Sequence, residues 1–200
     1  MKRILLVISI LAVLLCSFAL AVDFTDVAGH WGEPYIKELT DKGVINGYLM
    51  DDGTYEFRPE GEIKKGEFLK LIMSASLPSE NWSAPSAKYP NHWSGIYIEK
   101  AEEYEVIDEG YVNEQTAEDK ISRADVAEIL GKCDIVIKNS PQLSAEYEFY
   151  DVADISIMQK VMLAHCVAKE YIKGYDEYTF GPNNTLKRAE VATILSRYMK

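Results

Sequence analysis

The chain has 200 residues, 48% of them hydrophobic, with 32 acidic against 21 basic side chains and a formal net charge of −11. That is enough apolar material for one or two domains of ordinary size. The acidic excess argues against nucleic acid and anionic lipid as bulk electrostatic partners, while leaving room for a local cationic site that takes an anionic glycan.

The chain begins Met1, Lys2, Arg3, runs apolar over residues 4–15, and continues to Ala19, Leu20 and Ala21. A basic start, an apolar core and an Ala-x-Ala end predict a secretory signal over 1–21, cleaved after Ala21. Leu15 is too large for the position before a lipidated cysteine, so Cys16 reads as part of the signal. An uncleaved anchor is the lesser alternative, because the run is about long enough to span a bilayer.

Beyond it, one set of motifs recurs three times, in segments 22–76, 89–133 and 149–200, joined by turn-rich connectors at 77–88 and 134–148. The first segment carries Phe24, Asp26, His30, Trp31, then Gly43, Val44, Ile45, Gly47, Tyr48, then Phe57, Pro59, Ile63 and Glu67. The second keeps Tyr89, His92, Trp93, Ile121, Arg123 and Asp125. The third keeps Phe149, Asp151, Gly174, Tyr175, Phe180, Pro182, Leu186, Arg188 and Glu190. Such a repeat buries its apolar face only against its neighbours.

Each segment reads as helix, loop, helix. The first helix is predicted over about residues 31–42, with Pro34 in its first turn, Ile36 and Leu39 inward, and Gly43 ending it. The second helices carry the stripes Phe68, Leu71, Ile72, Ala75; Val126, Ile129, Leu130, Cys133; and Val191, Ile194, Leu195, Tyr198. All follow the i, i+3, i+4, i+7 spacing of an amphipathic helix and predict three helices meeting at one core. Cys133 and Cys166, on apolar faces, could form one disulfide in a secreted chain but read as small buried hydrophobes.

Ser122 is placed to cap its helix, with Asp125 completing the box. Lys64 and Lys187 hold the same position in the other segments and cannot accept a hydrogen bond. The next residues are Lys65, Arg123 and Arg188, cations set against the helix dipole. Backbone N–H groups beside them form a candidate carboxylate or phosphate site. The simpler local reading pairs each base with a nearby carboxylate. Trp31 and Trp93, sharing a position before the first helix, read as packing residues, and Trp82 as a buried anchor before a sugar-stacking platform. No nucleophile elbow, zinc-hydrolase helix or phosphate-cradling glycine loop is present, and Asp51, Asp52 and Gly53 fall short of a calcium loop. The sequence thus predicts no catalysis, no metal and no cofactor.

In order and content these motifs resemble the S-layer homology domain, a bacterial surface module usually found as three tandem copies. The resemblance implies an all-α fold: three helix-loop-helix repeats in a pseudo-threefold arrangement around a central three-helix bundle. It also implies non-covalent anchoring of a secreted protein to secondary cell-wall polymer, an acidic glycan with a pyruvylated amino sugar, in grooves between repeats. Carried over by position, the glycan-binding residues are Arg123, Arg188, Lys65, Gly47, Gly174, Tyr48, Tyr175, Asp26 and Asp151. The alternative is a degenerate module that contacts other surface proteins or assists S-layer assembly. No segment is complete: the first has Lys65 and Gly66 for Arg-Ala, the second lacks Gly-Tyr and Phe-x-Pro, and the third lacks His-Trp. The third keeps Arg188, Gly174 and Tyr175 together and is expected to be its strongest site.

Overall fold

The computed structural model describes residues 22–200; the signal-sequence expectation for residues 1–21 lies outside them. Among the described residues six α-helices carry the fold: α1 (Glu33–Asp41), α2 (Lys65–Ser76), α3 (Gly95–Glu103), α4 (Arg123–Lys132), α5 (Ile157–Ala168) and α6 (Arg188–Tyr198). One small antiparallel hairpin, which periodicity did not predict, pairs β1 (Tyr48–Leu49) with β2 (Tyr55–Glu56).

Local chemistry sets the helix starts. His30 Nδ1 accepts from Gly32 N–H at 3.0 Å ahead of α1, and His92 Nδ1 from Ser94 N–H at 3.2 Å ahead of α3. Ser122 Oγ accepts from Asp125 N–H at 3.1 Å, and Ser156 and Gln159 close a reciprocal capping box on α5. Where lysine stands at the cap, the glutamate alone acts: Glu67 accepts from Lys64 N–H at 3.1 Å and Glu190 from Lys187 N–H at 2.8 Å.

The helices pair across segments. α1 lies against α6, α3 against α2, and α5 against α4. Each first helix therefore rests on the second helix of another segment. Just before α2, α4 and α6 the chain forms three strand-like bridges, Glu62 with Lys187, Lys64 with Lys120, and Ser122 with Thr185. These bridges enclose Ile63, Ile121 and Leu186, all fully buried. The second-helix stripes then continue the core, Phe68, Ile72, Val126, Leu130, Val191 and Leu195 being buried completely. Leu195→Ala should cost about 2–5 kcal/mol, the range for large-to-small core changes; the shift of the urea midpoint measures it.

The connectors are more ordered than their composition predicts. Residues 133–137 continue α4 as a π-helix, Lys138 N–H reaching Cys133 O at 3.2 Å, so the expected connector, set at 134, begins four residues too early. The wider turn carries Asp134 into the interior. Trp82, partly buried, stacks on Tyr97 with ring centroids 4.7 Å apart. Cys133 and Cys166 are buried free thiols, and Cys166 Sγ donates to Ala127 O at 3.3 Å.

Candidate functional site

The first amides of α2, α4 and α6 are all taken. Arg188 and Ala189 N–H donate to Gly61 O at 2.8 Å and Pro59 O at 3.0 Å. Arg123 and Ala124 N–H donate to Asn184 O and Pro182 O, both at 2.9 Å; Lys65 and Gly66 N–H donate to Asp119 O and Ala117 O, both at 2.8 Å. Each helix start is closed by carbonyls from another segment. The expected anion site on open helix amides is therefore overturned: the N–H groups bind protein, and only the side chains remain to meet a ligand.

Those side chains reach across segment boundaries. Arg188, from the third segment, lies beside Gly47 and Tyr48 of the first. Arg123, from the second, lies beside Gly174 and Tyr175 of the third. The expected grouping of Arg188 with Gly174 and Tyr175 is corrected accordingly. The Tyr48 groove, of about 210 Å³, adds Glu67, Lys70 and Trp93; the Tyr175 groove, of about 250 Å³, adds Trp31, Lys173, Glu190 and Arg197. A third cleft, beside Tyr111, encloses only about 30 Å³ between Asp108, Asp125, Glu128 and Lys132. Lys65 points at that side, 5.6 Å from the Tyr111 ring and 3.7 Å from Asp119.

Asp26 and Asp151 line neither groove. Asp26 accepts from Phe57 N–H at 2.9 Å and Arg58 N–H at 2.7 Å; Asp151 accepts from Phe180 N–H at 3.0 Å and Gly181 N–H at 2.7 Å. Both carboxylates are spent on pinning the Phe-x-Pro stretch, whose proline carbonyl closes a helix start of another segment, Pro59 that of α6 and Pro182 that of α4. Gly47 and Gly174 are required by close approach: a Cβ at Gly47 would lie 2.2 Å from the Phe24 ring, and one at Gly174 2.4 Å from the Phe149 ring. Gly47 also has φ +63°.

Trp31 and Trp93 correct a further expectation. They are 55% and 52% exposed, not packed inside, and each lies at the rim of a groove built by other segments. Their neighbours His30 and His92 pack against them, ring centroids 5.2 and 5.5 Å apart, and are themselves bonded to Glu60 at 2.8 Å and Glu118 at 3.1 Å. An exposed indole beside a cation suits a sugar, whose ring has an apolar face and whose substituents include anions.

The electrostatics of the two arginines differ. Arg188 is 8% exposed, donates from Nε to Phe57 O at 2.8 Å, and sits 3.3 Å from Glu67. Glu67 also accepts from the Tyr48 hydroxyl. Burial and then that bond push the Tyr48 phenol up to about 12. Burial, then the Arg188 charge, pulls Lys70 below its ordinary value. Arg123 is 6% exposed and donates to Lys173 O, but no carboxylate lies within 4.0 Å of it among the described residues.

The family pattern of the S-layer homology domain matches residues 23–69 and 148–192. Both stretches fall on the first and third segments, which keep the Gly-Tyr and Phe-x-Pro motifs that the second has lost. The S-layer protein EA1 of Bacillus anthracis is 37% identical over 113 residues, 54% of this chain and 12% of that protein. The cellulosome-anchoring protein of Acetivibrio thermocellus is 47% identical over 47 residues, 24% of this chain and 10% of its own length. Cell surface glycoprotein 1 of the same organism is 44% identical over 52 residues, 26% of this chain and 2% of its own. The chain is thus similar to the S-layer homology domain in two segments and spans no more than about an eighth of these relatives.

Proposed function

We propose that this chain is a non-catalytic module of the bacterial cell surface, secreted and then held to the wall without a covalent bond. It does so by taking an acidic secondary cell-wall polymer, a glycan with pyruvylated amino sugars, into composite grooves between its segments. The architecture we propose is three repeats in a pseudo-threefold ring, the second of them degenerate. The cyclic pairing of α1 with α6, α3 with α2 and α5 with α4 supports it.

The observation that carries the reading is one shared design. A nearly buried guanidinium from one segment faces the Gly-Tyr turn of another, with an exposed tryptophan from the remaining one at the rim of the Tyr48 and Tyr175 grooves. A planar cation can hold a carboxylate through two hydrogen bonds, and the aromatic rings can cover sugar faces. Lys65, which keeps charge without the fork, stands at the narrow Tyr111 cleft and contributes least. Asp26 and Asp151 serve by fixing the groove walls.

The test is sedimentation with purified wall sacculi. The protein should pellet with native wall and stay in solution with wall stripped of its secondary polymer. Equal pelleting with both would defeat the glycan reading and favour contact with surface proteins or peptidoglycan instead.

A further inference from the structure

The Tyr48 and Tyr175 grooves share a plan, and one of the differences between them reaches the arginine. Between the groove phenylalanine and proline the first segment has Arg58 and the third has Gly181. Both adopt left-handed backbone, φ 60° at Arg58 and 73° at Gly181. Glycine adopts that conformation freely; arginine does so at a cost. The strain at Arg58 is retained together with a specific placement of its side chain.

The Arg58 guanidinium lies 4.5 Å from the centroid of the Tyr48 ring, and the Arg188 guanidinium lies 4.7 Å from it. Two cations thus cover Tyr48, and its hydroxyl is bound to Glu67. Glu67 in turn stands 3.3 Å from Arg188. The ring, the carboxylate and the guanidinium of this groove are satisfied by one another.

In the Tyr175 groove none of these closures exists among the described residues. Gly181 has no side chain, and the Tyr175 ring occupies that space: a Cβ built on Gly181 would fall 2.6 Å from its edge. Tyr175 is covered by Arg123 alone, 4.7 Å from its centroid, and is 50% exposed. Glu190, the counterpart of Glu67, makes no ion pair with Arg123. Arg123 is buried to 6% exposure with its Nε lacking any hydrogen-bond partner among the described residues. A buried cationic donor without a partner costs free energy that an incoming carboxylate would recover.

We propose that the Tyr175 groove is the one site at which this chain takes an acidic sugar, and that Arg58, by backing Tyr48, keeps the Arg188 charge of the Tyr48 groove engaged by Glu67. The inference rests on the glycan reading above and narrows it to one groove. The ligand carboxylate meets Arg123, with Lys173 and Arg197 adding positive charge at the rim, while the sugar ring lies on the open face of Tyr175. Arg58 acts as the specificity residue, because it holds Tyr48 on Glu67 and so keeps Glu67 on Arg188.

Titration calorimetry with the methyl glycoside of a pyruvate-ketal N-acetylhexosamine tests this on the full secreted chain. One sugar should bind per chain. Arg123→Gln should weaken binding tenfold or more, and Tyr175→Ala, a change at a half-exposed ring that the fold can absorb, should weaken it as well. Arg58→Gly, which copies the third segment and relieves the left-handed arginine, should raise the stoichiometry to two. Two sites in the unaltered chain, or a single site that survives both Arg123→Gln and Tyr175→Ala, would overturn the assignment while leaving the glycan reading intact. A stoichiometry that stays at one in Arg58→Gly would overturn the role of Arg58. No heat from the acidic sugar with any form of the protein would instead remove the glycan reading, and this inference with it.

Discussion

A fragment ending at Lys138, without the third segment, should show no cooperative unfolding transition. The reason lies in how the helices pair across segments. α1 has its main partner in α6, so removal of α6 bares the face that carries Ile36 and Leu39, both fully buried. α4 has its main partner in α5, so Ala127 and Leu130 also lose cover. Exposing a large apolar side chain costs about 1.5–3 kcal/mol, and four or five of them reach the whole margin of an ordinary domain, about 5–15 kcal/mol. The polar losses point the same way. The first amides of α4 lose Pro182 O and Asn184 O, and Ile63 N–H loses Leu186 O, 2.9 Å away. Thermal unfolding followed by circular dichroism measures the outcome. A sharp melt at the temperature of the full chain would mean that the segments fold as independent beads.

How much of this was legible before the structure differs by element. The second helices were, because Phe68, Leu71, Ile72 and their counterparts recur at helical spacing and a buried face leaves that trace in sequence. Ser122 as a cap was legible for the same local reason. The composite grooves were not. Spacing along one segment cannot say which neighbour a helix-start arginine faces: it groups Arg188 with Tyr175, and the fold gives it Tyr48. The helix-start amides read as open for the same reason, since their acceptors lie far along the chain, at Gly61 for Arg188 and Asn184 for Arg123. Trp31 and Trp93 were assigned to packing from a shared position, which records that a role repeats but not whether the ring faces in or out.

One miss had a signal. The stripe of α4 runs Val126, Ile129, Leu130, Cys133, and its next positions are Asp134 and Ile137. Continued by one turn, it places a carboxylate on the buried face, where an unpaired charge is prohibitive and partners are therefore required. Composition instead starts the connector at that residue, because the turn-rich stretch begins close by, at Asn139 and Ser140.

Asp134→Ala should accordingly be among the most damaging single substitutions in the chain, costing about 2–6 kcal/mol, from two buried donors left unsatisfied at about 1–3 kcal/mol each. Asp134 is fully buried. It accepts from His165 Nε2 at 3.0 Å and from the Tyr171 hydroxyl at 3.0 Å, with Lys169 Nζ at 3.5 Å. His165 is itself fully buried, and its Nδ1 accepts from Leu143 N–H at 3.0 Å. These bonds assign the proton to Nε2 and tie the second connector to α5. Without the carboxylate, the His165 and Tyr171 donors are left in the interior with nothing to bind. The effect carries a pH signature. Burial opposes ionisation of Asp134, but the bonds from His165 and Tyr171 and the Lys169 charge outweigh it and hold the carboxyl below its ordinary value. A carboxyl lowered by folding stabilises fully above its unfolded value of about 3.9, and that contribution fades as pH falls through the folded value. Urea unfolding of the parent and of Asp134→Ala should therefore differ most at neutral pH and converge in acid below about pH 4. A deficit under about 1 kcal/mol at pH 7, the net worth of one ordinary hydrogen bond, would show that the network does not hold the second and third segments together. A deficit that stays constant into acid would show that the lost contribution is packing and not charge.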